Sequence, residues 1–304
     1  MFFLVVLMYG LMGLAFPLGK WAVACALSPS YVIAFRMIPT GLAFVFYHFY
    51  KTKQPYRFRW SDLWLFFVVG ATGVYLHLVP EYWSLKYIDS IKANFIYSLS
   101  PFITALLSSI IISEKLGKKQ WIALAMGFLG MFPVIFTSNP GEAGLKSLFS
   151  ISVPELAMLL STFALAFAWF SVKKLSATGH SLHLINGMGM LVGGVLSAVH
   201  FFVFHGFQPF PVSDPVNFLW LSLVLVLVSN ITTYNMYSFL LKKFSATFLS
   251  FSGFLLPIFG ALYGKLIWSE KTLNWNYAAA LILISVGLWL FHAGSRERGE
   301  RSHL

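Results

Sequence analysis

PFITALLSSIIISEK, residues 101–115, and PIFGALYGKLIWSEK, residues 257–271, are two versions of one pattern: a proline, an apolar run and a closing Ser-Glu-Lys. Pro101 pairs with Pro257, Glu114 with Glu270 and Lys115 with Lys271, each 156 positions apart. Ala105 and Ala261, Ser113 and Ser269 and, upstream, Lys86 and Lys242 keep the same offset. An offset near half of 304 residues makes the chain one unit written twice. A fixed internal period sets architecture before any local reading does. In an apolar chain, two related halves point to a membrane carrier with its binding site between the repeats.

The chain is 58% hydrophobic and 10% charged, with a mean hydropathy of +0.77. A soluble domain carries about a quarter charged residues. The fold class is therefore all-α and polytopic in a membrane. A single cysteine, Cys25, rules out an intrachain disulfide, so nothing demands an oxidising compartment. The net charge of +11 is not read as a nucleic-acid signal. The basic residues stand between apolar runs, where they set topology.

Runs of about 20 apolar residues each span a bilayer as a helix. Ten are expected: 2–24, 30–50, 62–84, 91–113, 118–137, 153–174, 181–205, 216–240, 244–268 and 274–292. Polar breaks such as KTKQPYRFR (51–59), SNPGEAGLKS (138–147) and HGFQPFPVSDP (205–215) separate them. The two units are then residues 1–140 and 150–304, the second ending in a short basic tail. The first run is read as a retained helix, since no basic residue precedes it and Pro17 and Lys20 interrupt it. With the N-terminus inside, the inner connections and tail collect fourteen basic residues: Lys51, Lys53, Arg57, Arg59, Lys115, Lys118, Lys119, Lys173, Lys174, Lys242, Lys243, Arg296, Arg298 and Arg301. The outer ends collect Lys20, Lys86, Lys92, Lys146, Lys265 and Lys271. This asymmetry places both termini in the cytoplasm. Five helices per half, an odd number, make the repeat inverted. Two such halves can exchange conformations, which gives alternating access around a site near the midplane.

The first half runs from Tyr82-Trp83-Ser84-Leu85-Lys86-Tyr87 through Ala93, Pro101, Ala105 and Ser113-Glu114-Lys115 to Gln120, Gly127 and Gly130. The second repeats the cadence at Tyr237, Lys242, Ala246, Pro257, Ala261 and Ser269-Glu270-Lys271, ending at Gly287. Over essentially the whole chain this resembles the EamA-type unit of the drug/metabolite transporter superfamily. The resemblance implies ten helices in two five-helix inverted repeats, in the inner (plasma) membrane of a bacterium. It also implies a cargo among amino acids, other small metabolites and toxic compounds, and in some bacteria living inside host cells, S-adenosylmethionine.

Polar groups within the hydrocarbon are expensive, so each is a candidate for function. His77 and Glu81, spaced i, i+4, share one face of the third helix, with Pro80 between them able to kink the helix and free a backbone carbonyl. A carboxylate there suits an ammonium or sulfonium group, or a coupling proton; the bland reading pairs it with Lys86 or Lys92. Asn230, Thr233, Tyr234 and Tyr237 recur at i, i+3, i+4 and i+7 on the eighth helix, and at the 156 offset Thr233 matches His77 and Tyr237 matches Glu81. Such a stripe lines a cavity or glues helices together. Asn94 and Tyr97 make a polar face of the fourth helix. Lys20, near the outer end of the first, is set against a substrate carboxylate or snorkels to the interface. Trp169 and Phe251 are candidate aromatic walls for stacking or cation–π contact. Arg36 is read as structural, paired with an acid or carbonyl, and Glu114 and Glu270 as helix-end salt bridges. The glycines at 187, 189, 193 and 194 suit close packing. There is no Walker loop, nucleophile elbow or metal-ligand spacing, so no cofactor, metal or enzyme activity is expected.

The expectation is a secondary transporter for an amino acid or a derivative such as S-adenosylmethionine, whose partners are that small molecule, the lipid bilayer and a coupling proton or counter-substrate. Its rivals are a broad exporter of lipophilic cations, a passive channel and, remotely, a membrane enzyme acting on lipids.

Overall fold

The structure is a computed structural model that describes residues 2–52, 59–88, 93, 96–97, 99–111, 113, 116–137, 152–256, 258–259, 262–263 and 275–297. Helices form at nearly all of them. They are α1 (Phe2–Ala24), α2 (Pro29–Lys51), α3 (Trp60–Gly70), α4 (Leu76–Ser84), α5 (Ser100–Ile111), α6 (Lys118–Thr137), α7 (Val153–Ala177), α8 (Leu182–His205), α9 (Pro215–Leu225), α10 (Tyr234–Leu240), α11 (Ala246–Ser252) and α12 (Trp275–Glu297). Among the described residues six continuous helices are long and apolar enough to cross a bilayer: Phe2–Ala24, Pro29–Lys51, Asp62–Ser84, Val153–Ala177, Leu182–His205 and Pro215–Leu240. The described parts of the other four expected spans are helical as well, in α5, α6, α11 and α12. The protein is a multi-pass membrane protein. Large apolar side chains such as Trp60, Val216 and Trp220 are exposed, as a lipid-facing surface requires.

Two spans depart from the single α-helices expected at 62–84 and 216–240. Residues Ala71–Tyr75 join α3 to α4 as a π stretch, and Val226–Thr233 join α9 to α10 in the same way. At the 156 offset, 71–75 becomes 227–231, inside the second π stretch. A π turn widens the helix and misaligns backbone partners. Threonines compensate: Thr72 Oγ1 donates to the Val68 carbonyl at 2.7 Å, Thr232 Oγ1 to Leu227 at 2.8 Å and Thr233 Oγ1 to Val228 at 2.7 Å. The helix continues through Pro80, so the irregularity lies upstream of the proline expected to cause it.

Helix α8 lies along α2 and α3, and α12 lies along α6. Helix α4 packs on α7, and its counterpart α10 packs on α1; α5 crosses α11. Two glycines permit the α8 contacts. A Cβ at Gly193 would lie 2.3 Å from Val74 Cβ, and one at Gly41 would lie 2.8 Å from the Gly187 carbonyl oxygen. Small residues at such crossings let backbones approach. The expected packing role of the α8 glycines is met at Gly187, Gly189, Gly193 and Gly194, where a Cβ would press on Phe44, Val69, Val74 and Ile38.

Candidate functional site

The stretches immediately after the two π segments, α4 and α10, converge with α7 on one cavity. It is lined from α4 by His77, Leu78, Glu81 and Tyr82, and from the second π stretch and α10 by Ser229, Thr233, Tyr234 and Tyr237. Leu165 and Trp169 of α7, Met12 and Ala15 of α1, and Tyr97 complete the wall. The cavity measures about 50 Å³, room for a few waters but far short of the several hundred Å³ that encloses a nucleoside-sized solute.

Glu81 is the one acidic side chain in that wall and is only 5% exposed. Its Oε2 has no hydrogen-bond partner. His77 Nδ1 stands 3.5 Å from it and hydrogen-bonds Ser161 Oγ of α7 at 2.9 Å. The bland pairing of Glu81 with Lys86 is replaced by this contact with His77, while Lys92 lies outside the described residues. A buried carboxylate whose oxygen lacks a donor is expensive. A cationic group entering the cavity would complete it.

Much of the rest of the wall is aromatic. The rings of Trp169 and Tyr237 stack at 3.9 Å between centroids and 19° between planes, and Tyr234 lies 5.9 Å from Trp169. The Tyr234 hydroxyl donates to the carbonyl of Gly73 at 3.0 Å, linking the helix after the second π stretch to the first. The Tyr9 hydroxyl donates to the Leu249 carbonyl. A neighbouring space shares Tyr97, Leu165, Trp169 and Tyr237 and adds Tyr9, Ser100, Thr104 and Ser250. There Ser250 Oγ bonds Ser100 Oγ at 2.9 Å and accepts from Thr104 Oγ1 at 3.0 Å, fastening α11 to α5.

Of the residues singled out in sequence, His77, Glu81, Tyr97, Trp169, Tyr234 and Tyr237 meet around the cavity. Asn230 stands behind it, fully buried, with Nδ2 donating to Thr40 Oγ1 at 3.3 Å. Lys20 is exposed and stands outside the wall. Phe251 is buried elsewhere, its ring stacked on Phe291 at 5.3 Å and packed against Gly127. Asn94, Glu114 and Glu270 lie outside the described residues. Arg36, expected to pair with an acid or carbonyl, instead donates from Nη2 to the Tyr82 hydroxyl at 3.1 Å. Tyr82 and Ser161 were absent from the expected set. Tyr82 stands next to Glu81, but a tyrosine in a chain with 18% aromatics gives no signal of its own.

The chain matches the EamA-like transporter family over residues 1–136 and again over 153–292. It belongs to that family, and is a metabolite transporter rather than an enzyme. It is similar to a protein of Chlamydia muridarum named S-adenosylmethionine/S-adenosylhomocysteine transporter, 31% identical across 84% of this chain and 80% of the relative. A protein of the same name from Chlamydia trachomatis is 30% identical across 84% and 78%. A WAT1-related chloroplastic protein of Arabidopsis thaliana is 28% identical across 88% of this chain and 64% of the relative. A solved crystal structure superposes with a TM-score of 0.72 at 15% identity, covering 97% of this chain and 96% of that one, a likeness of fold.

Proposed function

We propose that the protein exchanges S-adenosylmethionine, or a closely related amino-acid derivative, for a counter-substrate such as S-adenosylhomocysteine across a bacterial inner membrane. The observation that carries this reading is the buried, unpartnered Glu81 oxygen lining the same small cavity as the stacked Trp169–Tyr237 pair. Glu81 meets the sulfonium or ammonium of such a solute. Trp169, Tyr234, Tyr237 and Tyr97 take its ring by stacking and cation–π contact. His77 orients Glu81, and Asn230 braces the wall. The names of the chlamydial relatives support the same substrate class.

The mechanism is alternating access by two inverted five-helix units, residues 1–140 and 150–304. The two family matches and the π stretches at one offset support this, as does the packing of α4 on α7 and of α10 on α1. Both termini are placed in the cytoplasm on the distribution of lysine and arginine. Counterflow in proteoliposomes tests the reading. Vesicles preloaded with unlabelled S-adenosylmethionine or S-adenosylhomocysteine, given trace labelled S-adenosylmethionine outside, should show a saturable overshoot. No overshoot with either preload, alongside efflux of lipophilic cations, would replace it with a broad exporter.

A further inference from the structure

Among the described residues, five buried side-chain atoms find no hydrogen-bond partner: Arg36 Nε, Arg36 Nη1, Glu81 Oε2, Asn230 Oδ1 and Ser222 Oγ. All but the last belong to one connected cluster. Asn230 Nδ2 donates to Thr40 Oγ1, Thr40 Oγ1 donates to the Arg36 carbonyl at 2.7 Å, and Arg36 Nη2 donates to Tyr82, the neighbour of Glu81 in the cavity wall. Arg36 is 1% exposed, the bulkiest of the fully buried side chains. It has no carboxylate within ion-pair distance among the described residues, whose pairs are His77–Glu81 and His180–Asp62.

A guanidinium within a membrane is costly unless its N–H groups are satisfied. Here a buried cation keeps two donors open, and a buried anion keeps one acceptor open. Arg36 stands behind Tyr82 and is not itself among the lining residues, and it and Glu81 are too far apart to satisfy each other. The arrangement complements a solute carrying both signs. One charge alone would suffice for a simple cation, and Arg36 would then repel it.

We propose that Arg36, presented by Tyr82, is a further substrate-binding residue that receives the carboxylate of a zwitterionic solute whose cationic group is met by Glu81. This rests on the substrate reading above and gives the carboxylate role to Arg36 in place of Lys20. Charge-assisted bonds from a guanidinium to a carboxylate are short and strong. Removing one in a water-poor site therefore changes selectivity more than capacity.

The test compares two labelled solutes in the same counterflow assay: S-adenosylmethionine, and its decarboxylated form, which keeps the sulfonium, amine and adenosine. The wild type is expected to favour S-adenosylmethionine about 10- to 100-fold in transport efficiency. Arg36→Gln should bring that ratio to within about threefold of one, and Arg36→Lys should leave it in between. Thermal unfolding in detergent identifies a variant that fails to fold. If Arg36→Gln does so, Tyr82→Phe takes its place, since losing the hydroxyl that holds Arg36 Nη2 should weaken the preference in the same direction. A wild type that moves both solutes equally well, or a folded Arg36→Gln that keeps the full preference, overturns the proposal while leaving the substrate reading intact. A wild type that moves neither overturns the substrate reading and this inference with it.

Discussion

The third and eighth spans share one backbone plan and differ in chemistry. Asp62–Ser84 and Pro215–Leu240 each begin as α-helix, widen into a π stretch at corresponding positions and close with a short α-helix against the cavity. On that common frame the first places His77 and Glu81, and the second places Thr233 and Tyr237. Val74 of the first π stretch presses on Gly193, while its counterpart Asn230 hydrogen-bonds Thr40. The backbone supplies what both halves need in order to move. The side chains supply what only one face of a solute needs. On the proposed reading, charge recognition is carried on the first half, and the second half contributes rings and hydroxyls.

Substitutions at these positions can break or sharpen that contrast. The largest effect is expected from Gly193→Val, whose side chain would collide with Val74 and with the Gly70 carbonyl. The cost is about 3 kcal/mol or more, seen as loss of monodisperse protein on size-exclusion chromatography. Gly41, where a Cβ would meet the Gly187 carbonyl, should respond in the same direction. Next comes Glu81→Gln, expected to lower counterflow efficiency for S-adenosylmethionine about 10- to 100-fold. Tyr237→Phe on the other half should lower it less than threefold, because the ring stack is kept. An equal loss in both would erase the claimed division of labour. Trp169→Ala removes the shared aromatic partner and should raise the half-saturation concentration roughly 2- to 10-fold, measured by counterflow at varied external substrate. The smallest effect belongs to Tyr234→Phe, which deletes the bond to Gly73 between the two widened helices. About 1 kcal/mol of stability should go with it, read as a lower thermal midpoint in detergent.

The membrane class and the positions of the helices were legible because apolar runs and polar breaks are strong, additive signals. The i, i+4 spacing of His77 and Glu81 and the stripe on the eighth span likewise indicated which side chains share a face, and the folded chain brings all of them except Asn230 to one cavity. The π stretches were not legible. A widened turn depends on helix neighbours and on a few threonine bonds, and neither leaves a period in the sequence. Pro80 drew attention to the wrong turn for the same reason. Lys20 and Arg36 exchanged prominence because linear order records depth in a span but not rotation about its axis. Lys20 turns outward and Arg36 turns in. Phe251 misled for a different reason, since in a chain with 32 phenylalanines one ring looks like any other.

The paired π stretches also bear on how such a chain tolerates insertion and deletion. A π turn holds one residue more than an α turn, so each stretch stores the equivalent of a single-residue insertion in a helix that remains continuous. Deleting one residue from Ala71–Tyr75 would restore a regular helix and lose little hydrogen bonding. It would also rotate everything before the stretch by about 100° relative to everything after it. Either Val74 would leave Gly193, or His77 and Glu81 would leave the cavity. The two faces of this helix are held in phase by its one irregular turn, and reading-frame-neutral changes of length there would be silent in hydropathy and decisive in function.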